Sequence, residues 1–351
     1  MASVPTLYET IINPTGPGNP RNGEGDIIAL RDGRLLMAWS RFSGPDDHSQ
    51  AEIWARHSDD GGLSWGEPFV LQENVGQCNV MSVSFLRLRS GDLLFGFAIK
   101  NHESQDCHMF VRRSADDGRT WSAAILATPE EGYIGANNNR LVQTRTGRVL
   151  YPCFRCIDEH YHSQAAVFAS DDDGRTWRRL SEWLDLPGPV GASEPGVVQC
   201  ADGSLWLWMR TDKQRIYACR SRDDGATWTA PAATGLIAPI SPASAVRLPT
   251  GDALLMIYND RRTAPPVAGD VPWRSEFNRR TPLVAAISRD HGETWQDFQY
   301  VEADESKSYC YTSITFHRDT TLLTYYVGVP DGPNLIDMKL KIVPTAAWTR
   351  L

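Results

Sequence analysis

One short pattern recurs five times along this chain, and its spacing restricts the fold more than any other feature. It reads SDDGGLSW at 58–65, SADDGRTW at 114–121, SDDDGRTW at 170–177, SRDDGATW at 221–228 and SRDHGETW at 288–295. All five fit Ser-x-Asp-x-Gly-x-[Thr/Ser]-Trp. The serines are 56, 56, 51 and 67 residues apart, so each unit is long enough for a four-stranded sheet and its loops. The residue types describe a tight hairpin turn: the Asp accepts hydrogen bonds from turn amides, the Gly takes positive φ without a Cβ clash, and the Trp packs back on the sheet. The motif is a turn staple, and no chemistry is assigned to it.

A second repeat lies between the first: RDGRLLMAW at 31, RSGDLLFGF at 89, RTGRVLYPC at 145, ADGSLWLWM at 201, PTGDALLMI at 249 and, more weakly, RDTTLLTYY at 318. Each is a short polar turn leading into an apolar strand, with another apolar strand before it, such as GDIIAL or VMSVSFLRL. No window keeps a 3.6-residue apolar period over three turns without Gly or Pro. Six hairpins in an all-β chain predict six blades of a β-propeller, a radial array that protects sheet edges. Residues 1–351 read as one domain, closed by the last strands, around LLTYYVGV and LIDMKLKIV, sharing a blade with the N-terminal YETIINP.

Composition narrows the class of ligand. Thirty-five Lys and Arg against 43 Asp and Glu give a formal charge of -8, which argues against nucleic acid and anionic lipid as partners and favours a small molecule. No apolar run is long enough for a membrane helix, and the opening MASVPTLYET has neither the basic nor the apolar block of a leader, so a cytoplasmic location is expected. The seven cysteines (78, 107, 153, 156, 200, 219 and 310) are odd in number and scattered, which predicts free thiols. Their spacings, including CFRC at 153–156, suggest no compact zinc site, and no metal or organic cofactor is expected.

The five motifs resemble the Asp-boxes of the sialidase (neuraminidase) superfamily of BNR-repeat proteins, and the resemblance covers nearly the whole chain. The box marks a turn and also occurs in non-catalytic propellers, so function is argued from other residues. The resemblance implies a carboxylate clamp of three arginines, a Tyr–Glu nucleophile pair and a loop Asp as acid/base. In SEPGVVQCADGSLWLWMRTD, Glu194 and Arg210 match the segment that carries the Glu base and the second arginine. In RRTPLVAAISRDHGETW, Arg280 stands eight residues before the box serine, as the third arginine does. Arg279 competes with it, although a strand's period of two lets only one of them face the axis. SYCYTSITF resembles the nucleophile segment and points to Tyr311, followed here by Thr312.

The N-terminal third departs from the pattern. In NPRNGEGDIIALRDG, Arg21 lies upstream of the usual first arginine, and Glu24 falls near that arginine's place. A Glu24 directed into the pocket would suit a hydroxyl or amine. The loop GPDDHSQ offers Asp47 as the acid/base, with Asp46 in reserve and His48 as a substrate contact. ANNNRLVQ and NDRR place Asn139, Arg140 and Arg262 at strand ends, where they are expected to bind hydroxyl or N-acyl groups.

The resemblance therefore implies an exo-α-sialidase-like glycoside hydrolase acting with retention on a terminal acidic sugar. A neutral Tyr suits such a substrate, because the sugar's own carboxylate beside the anomeric carbon would repel an anionic nucleophile. Arginine suits the carboxylate because its planar fork donates two parallel hydrogen bonds. Two alternatives stand beside this reading. One is a glycosidase using carboxylates (Glu24, Asp47 and Glu194) on another sugar, and the other is a propeller that binds carbohydrate without turnover.

Overall fold

A computed structural model describes residues 1–158 and 160–349. It is a six-bladed β-propeller. Blade I consists of Arg21–Ala29, Leu35–Phe42, Ala51–Ser58 and Phe69–Gln72, in order from the axis outward. Blade II follows with Asn79–Arg87, Leu93–Lys100, Cys107–Ser114 and Ile125–Leu126. Blades IV and V repeat the pattern from Ser193–Gln199 to Ala232–Ile237 and from Ser244–Arg247 to Gln296–Glu302. Blade VI is built from Ser308–His317, Thr320–Gly328 and Asp337–Pro344, and its outermost strand is Tyr8–Asn13, paired antiparallel to Asp337–Pro344. Helical structure among the described residues is limited to two 3-10 turns, Glu276–Asn278 and Thr345–Trp348. No helix there is long and apolar enough to cross a membrane.

Blade III differs from the others. Its inner strand is split into Tyr133–Gly135 and Val142–Gln143, both paired with Val149–Cys156. Tyr133 also bridges to Cys107, so blades II and III form one continuous sheet.

The second strand of each blade is mostly apolar because both its faces are covered, and successive side chains point to opposite neighbours. Leu35, Met37 and Trp39 pack toward blade VI, while Leu36 and Ala38 pack toward blade II. Leu205, Leu207 and Met209 meet blade III, while Trp206 and Trp208 meet blade V. The core is thus six layers, one between each pair of adjacent blades.

The five boxes form the expected turns. In each, the Ser hydroxyl donates to the Asp, the Gly amide donates to the Ser hydroxyl, and the Thr or Ser at the seventh position donates both its amide and its hydroxyl to the Asp. In the third box these distances are 2.7 Å (Ser170 to Asp172), 2.8 Å (Gly174 to Ser170), and 2.8 and 2.7 Å (Thr176 to Asp172). The box glycines lie at φ of 82 to 97°, a region that penalises a Cβ.

Candidate active site

The inner strands carry a second recurring device. Pairing slips between Gly23 and Asp26, Met81 and Ser84, Ser193 and Gly196, and Cys310 and Ser313. Each slip is a β-bulge, which re-aims a side chain. The first bulged residue has positive φ in every case: Glu24 at 51°, Ser82 at 64°, Glu194 at 44° and Tyr311 at 58°. All four line one cavity of about 510 Å³ around the axis, with Asp47, His48, Arg210 and Arg280.

The cavity stops at a buried polar network. Asn138 Nδ2 donates to the carbonyls of Gly25 and Tyr311, at 2.8 and 3.0 Å, so it ties opposite blades together. Asp26 accepts from the Phe85 amide, the Ser313 hydroxyl and Asn139. Burial pushes its pKa up to about 6 against these donors.

On one side of the cavity, Tyr311 OH donates to Glu194 Oε1 at 2.8 Å, and Arg210 Nη1 donates to the other Glu194 oxygen. Burial, with the Glu194 charge beside it, holds the Tyr311 phenol well above its ordinary pKa despite Arg210 and Arg280, so it is neutral in the free protein. The Arg280 guanidinium lies 5.8 Å from the Tyr311 ring centre and donates to the Cys310 sulfur at 3.2 Å. Its neighbour Arg279 instead points outward to Asp331, with Nη2 2.6 Å from Oδ2.

The opposite side is acidic. One guanidinium holds two carboxylates: Arg21 Nη2 is 2.9 Å from Glu24 Oε1, and Nη1 is 2.5 Å from Asp47 Oδ1. Arg21 Nε donates to Tyr326 OH at 2.8 Å, so the arginine is committed, only 1% exposed, and sits behind the cavity wall. Of the three arginines expected to face a substrate carboxylate, Arg210 and Arg280 line the cavity, whereas Arg21 lies behind its wall and is shared between the Glu24 and Asp47 carboxyls.

The two carboxyls on Arg21 are shifted in opposite directions. Burial raises the Glu24 pKa to about 7, with Arg21 opposing and Asp47 reinforcing. For Asp47 the desolvation is outweighed by Arg21, then Lys100 and His48, which lower its pKa. Lys100 is nearly inaccessible, and its Nζ lies 3.1 Å from the Asp47 carbonyl and 2.9 Å from His48 Nδ1.

Four residues expected at the site lie elsewhere. Asp46 faces away from the cavity and caps its own loop, accepting from the His48 and Ser49 amides, both at 2.8 Å. Asn139 spends its amide on Asp26 and the Ile314 amide. Arg140 is buried beneath the cavity, where it donates to the Pro195 and Ala243 carbonyls. Arg262 pairs with Asp260 and stacks 3.5 Å from the Phe298 ring centre.

The sequence reading also missed residues that line the cavity. Ser82 was legible in principle, because Glu24, Ser82 and Glu194 each stand nine residues before a hairpin glycine (Gly33, Gly91 and Gly203). Trp273, 56% exposed at the cavity with the Arg210 guanidinium 5.2 Å from its ring centre, lies in the long segment between Asn259 and Leu283. The 67-residue spacing before the fifth box is the trace of that insertion. Lys100, Tyr133 and Tyr161 left no such signal.

All seven cysteines are free. Among the described residues, Cys200, Asp202 and His291 form a group whose ligand atoms lie within 4.8 Å of one another. This group is outside the cavity, and the Arg220 cation acts on the Cys200 thiol there.

Comparison with known proteins agrees with the architecture. Residues 33–324 match the model of the BNR repeat-like domain. A sialidase of Micromonospora viridifaciens is 27% identical over 220 residues, which is 55% of this chain and 32% of that protein. A sialidase of Bacteroides fragilis is 24% identical over 238 residues, covering 64% of this chain and 40% of the relative. The chain thus spans about a third to two-fifths of the length of these two relatives. Among solved structures, a leech intramolecular trans-sialidase with 2,7-anhydro-Neu5Ac superposes with a TM-score of 0.77 at 14% identity, over 98% of this chain and 71% of that one. A protein of unknown function from Dyadobacter fermentans gives the same score at 17% identity, over 98% and 100%. The box turns, the six-bladed ring and a family match over most of the chain lead to one conclusion: this protein belongs to the BNR repeat-like family of the sialidase superfamily.

Proposed function

We propose that this protein is an exo-acting, retaining glycoside hydrolase that removes a terminal acidic sugar of the sialic acid type. The observation that carries this reading is the hydrogen bond between Tyr311 OH and Glu194 Oε1, 2.8 Å long, in a cavity that Arg210 and Arg280 also line. A cavity of about 510 Å³ above a polar floor suits one sugar unit entering from the open side. The sugar carboxylate would take the cationic side, with Arg280 as its principal partner. Tyr311 would then attack the anomeric carbon as its proton passes to Glu194, and a carboxyl on the Arg21 side would protonate the leaving oxygen. Water would release the sugar from the tyrosyl intermediate.

The test is release of 4-methylumbelliferone from its α-sialic acid glycoside. Parent protein turns over, and Tyr311→Phe falls by on the order of a thousandfold or more at unchanged melting temperature. A folded parent that binds the sugar without releasing umbelliferone would make this a carbohydrate-binding propeller. Full activity in Tyr311→Phe would move the chemistry to the carboxylates.

A further inference from the structure

Two carboxyl side chains share the Arg21 guanidinium, and a single cation cannot neutralise both. Their surroundings differ. Glu24 is 3% exposed, its Oε1 on Arg21 and its Oε2 2.5 Å from the Ser82 hydroxyl, a group that accepts from a carboxyl as readily as it donates to a carboxylate. The Asp47 side chain is 55% exposed, and its Oδ1 takes the shorter bond to Arg21, 2.5 Å against 2.9 Å. Asp47 also has the Lys100 cation nearby. Asp47 from the blade I loop and Glu194 from blade IV add negative charge that disfavours ionisation of Glu24, against Arg21 and the Ser82 hydrogen bond, which favour it. The nearby phenols of Tyr133, Tyr311 and Tyr326, all raised well above the ordinary tyrosine range, are neutral.

We infer that Glu24 is the proton-carrying acid/base of this cavity, while Asp47 remains a carboxylate that holds Arg21 in place. Sharing one guanidinium between two carboxyls in unlike surroundings separates an acid from a permanent anion, the pattern by which paired carboxyls divide their roles. The inference rests on the glycosidase reading above for the bond being broken, but the position of the proton is a property of the free protein.

As the bond from the anomeric carbon to the aglycone oxygen breaks, that oxygen takes the Glu24 proton. At the same time the Tyr311 oxygen bonds to carbon and gives its proton to Glu194. In the second half, Glu24 as carboxylate takes a proton from water, the water oxygen replaces Tyr311 on carbon, and Glu194 returns its proton to the phenol.

Two measurements test this. Infrared difference spectroscopy on the free protein follows the carbonyl stretch of protonated carboxyls. The parent is expected to show a band that fades as pH rises through about 7, above the one from Asp26 that fades near 6. Glu24→Gln lacks the upper band, Asp47→Asn keeps it with its midpoint moved to lower pH, and Glu24→Asp, which retains a carboxyl should Glu24→Gln fail to fold, shifts its frequency. A band absent from the parent, or lost in Asp47→Asn and kept in Glu24→Gln, overturns the inference.

The second measurement compares leaving groups. Glu24→Gln is expected to lose at least about tenfold more activity on sialyllactose, whose leaving alcohol needs a proton, than on the umbelliferyl glycoside, whose phenol does not. Asp47→Asn is expected to lose similar activity on both. The reverse pattern overturns the inference. If the parent hydrolyses neither substrate, the glycosidase reading fails, and the infrared result still decides where the proton sits.

Discussion

The turns between third and fourth strands and the bulges around the axis are both repeated devices, but they repeat different things. In the boxes the residues recur and so do their hydrogen bonds, and each turn is satisfied within eight residues of chain. In the inner strands the backbone kink recurs while the residue on it changes, from Glu24 to Ser82 to Glu194 to Tyr311. These side chains find partners on other blades: Ser82 meets Glu24, and Tyr311 meets Glu194. Carboxyls register the contrast. Hydrogen bonds from Ser64 and Ser58 lower Asp60 to about 2, whereas burial raises Glu24 to about 7. A side chain satisfied by its own turn contributes to stability wherever the turn sits, while one that depends on distant blades contributes only once the ring has assembled, and then at the place where a ligand binds.

The sharpest way to break this division is to disturb a bulge without touching its functional residue. A Cβ on Gly196 would stand 2.1 Å from the Trp208 ring, so Gly196→Ala forces either the bulge or the ring to move. The variant is expected to lose about 1–3 kcal/mol of stability and, through displacement of Glu194, most of its turnover. Thermal melts and umbelliferone release measure both, and an active, fully stable variant would uncouple the bulge from the site.

A box should respond in the opposite sense. Asp60→Ala removes the acceptor for Ser58 and for both donors of Ser64, which is expected to cost about 1–2 kcal/mol while turnover per folded molecule is unchanged. The same turns set the acid limit. Asp60 and Asp223 have folded pKa values near 2, below the ordinary 3.8. Their contribution is therefore present above pH ~4 and is lost as pH falls toward 2. Melting temperature followed between pH 5 and 2 should drop across that window, and less steeply in Asp60→Ala.

The smallest expected effect separates two neighbours in the connection between the 3-10 turn Glu276–Asn278 and the strand Leu283–Ser288. Arg279 makes an exposed pair with Asp331, so Arg279→Ala should leave KM within about twofold and stability within about 1 kcal/mol. Arg280→Ala, with its guanidinium in the cavity wall, should raise KM by tenfold or more. Equal effects in the two variants would mean that a place in the cavity wall does not decide which arginine meets the ligand.

These contrasts also explain what could be read before the fold was known. The boxes and hairpins are local, so their residue types describe their geometry, and six blades followed from counting them. Glu194, Arg210, Arg280 and Tyr311 were implied by the resemblance of their segments to those of the sialidase superfamily, and the fold brings them to one cavity. The pairing slips were not legible, because a one-residue slip leaves no mark on composition, although the nine-residue distance of Glu24, Ser82 and Glu194 from a hairpin glycine marks equivalent places in their blades. Nor was the commitment of Arg21, whose partners Asp47 and Tyr326 lie 26 and 305 residues away. Asn139 and Arg140 misled for a related reason. A polar run before an apolar strand signals a pocket-facing strand end, but blade III spends that run on a loop under the cavity, where it joins the blades beneath the site.

Closure of the ring has a consequence for biosynthesis. Tyr8–Asn13 completes blade VI by pairing with Asp337–Pro344, so the strand of this ring that is synthesised first must wait for the one that is synthesised last. At ordinary elongation rates that interval is on the order of tens of seconds. During it, blades I to V can form in succession while the early strand stays without its hydrogen-bonding partner. A ring opened between two blades instead, with Tyr8–Asn13 and Asp337–Pro344 adjacent in the chain, would remove that wait.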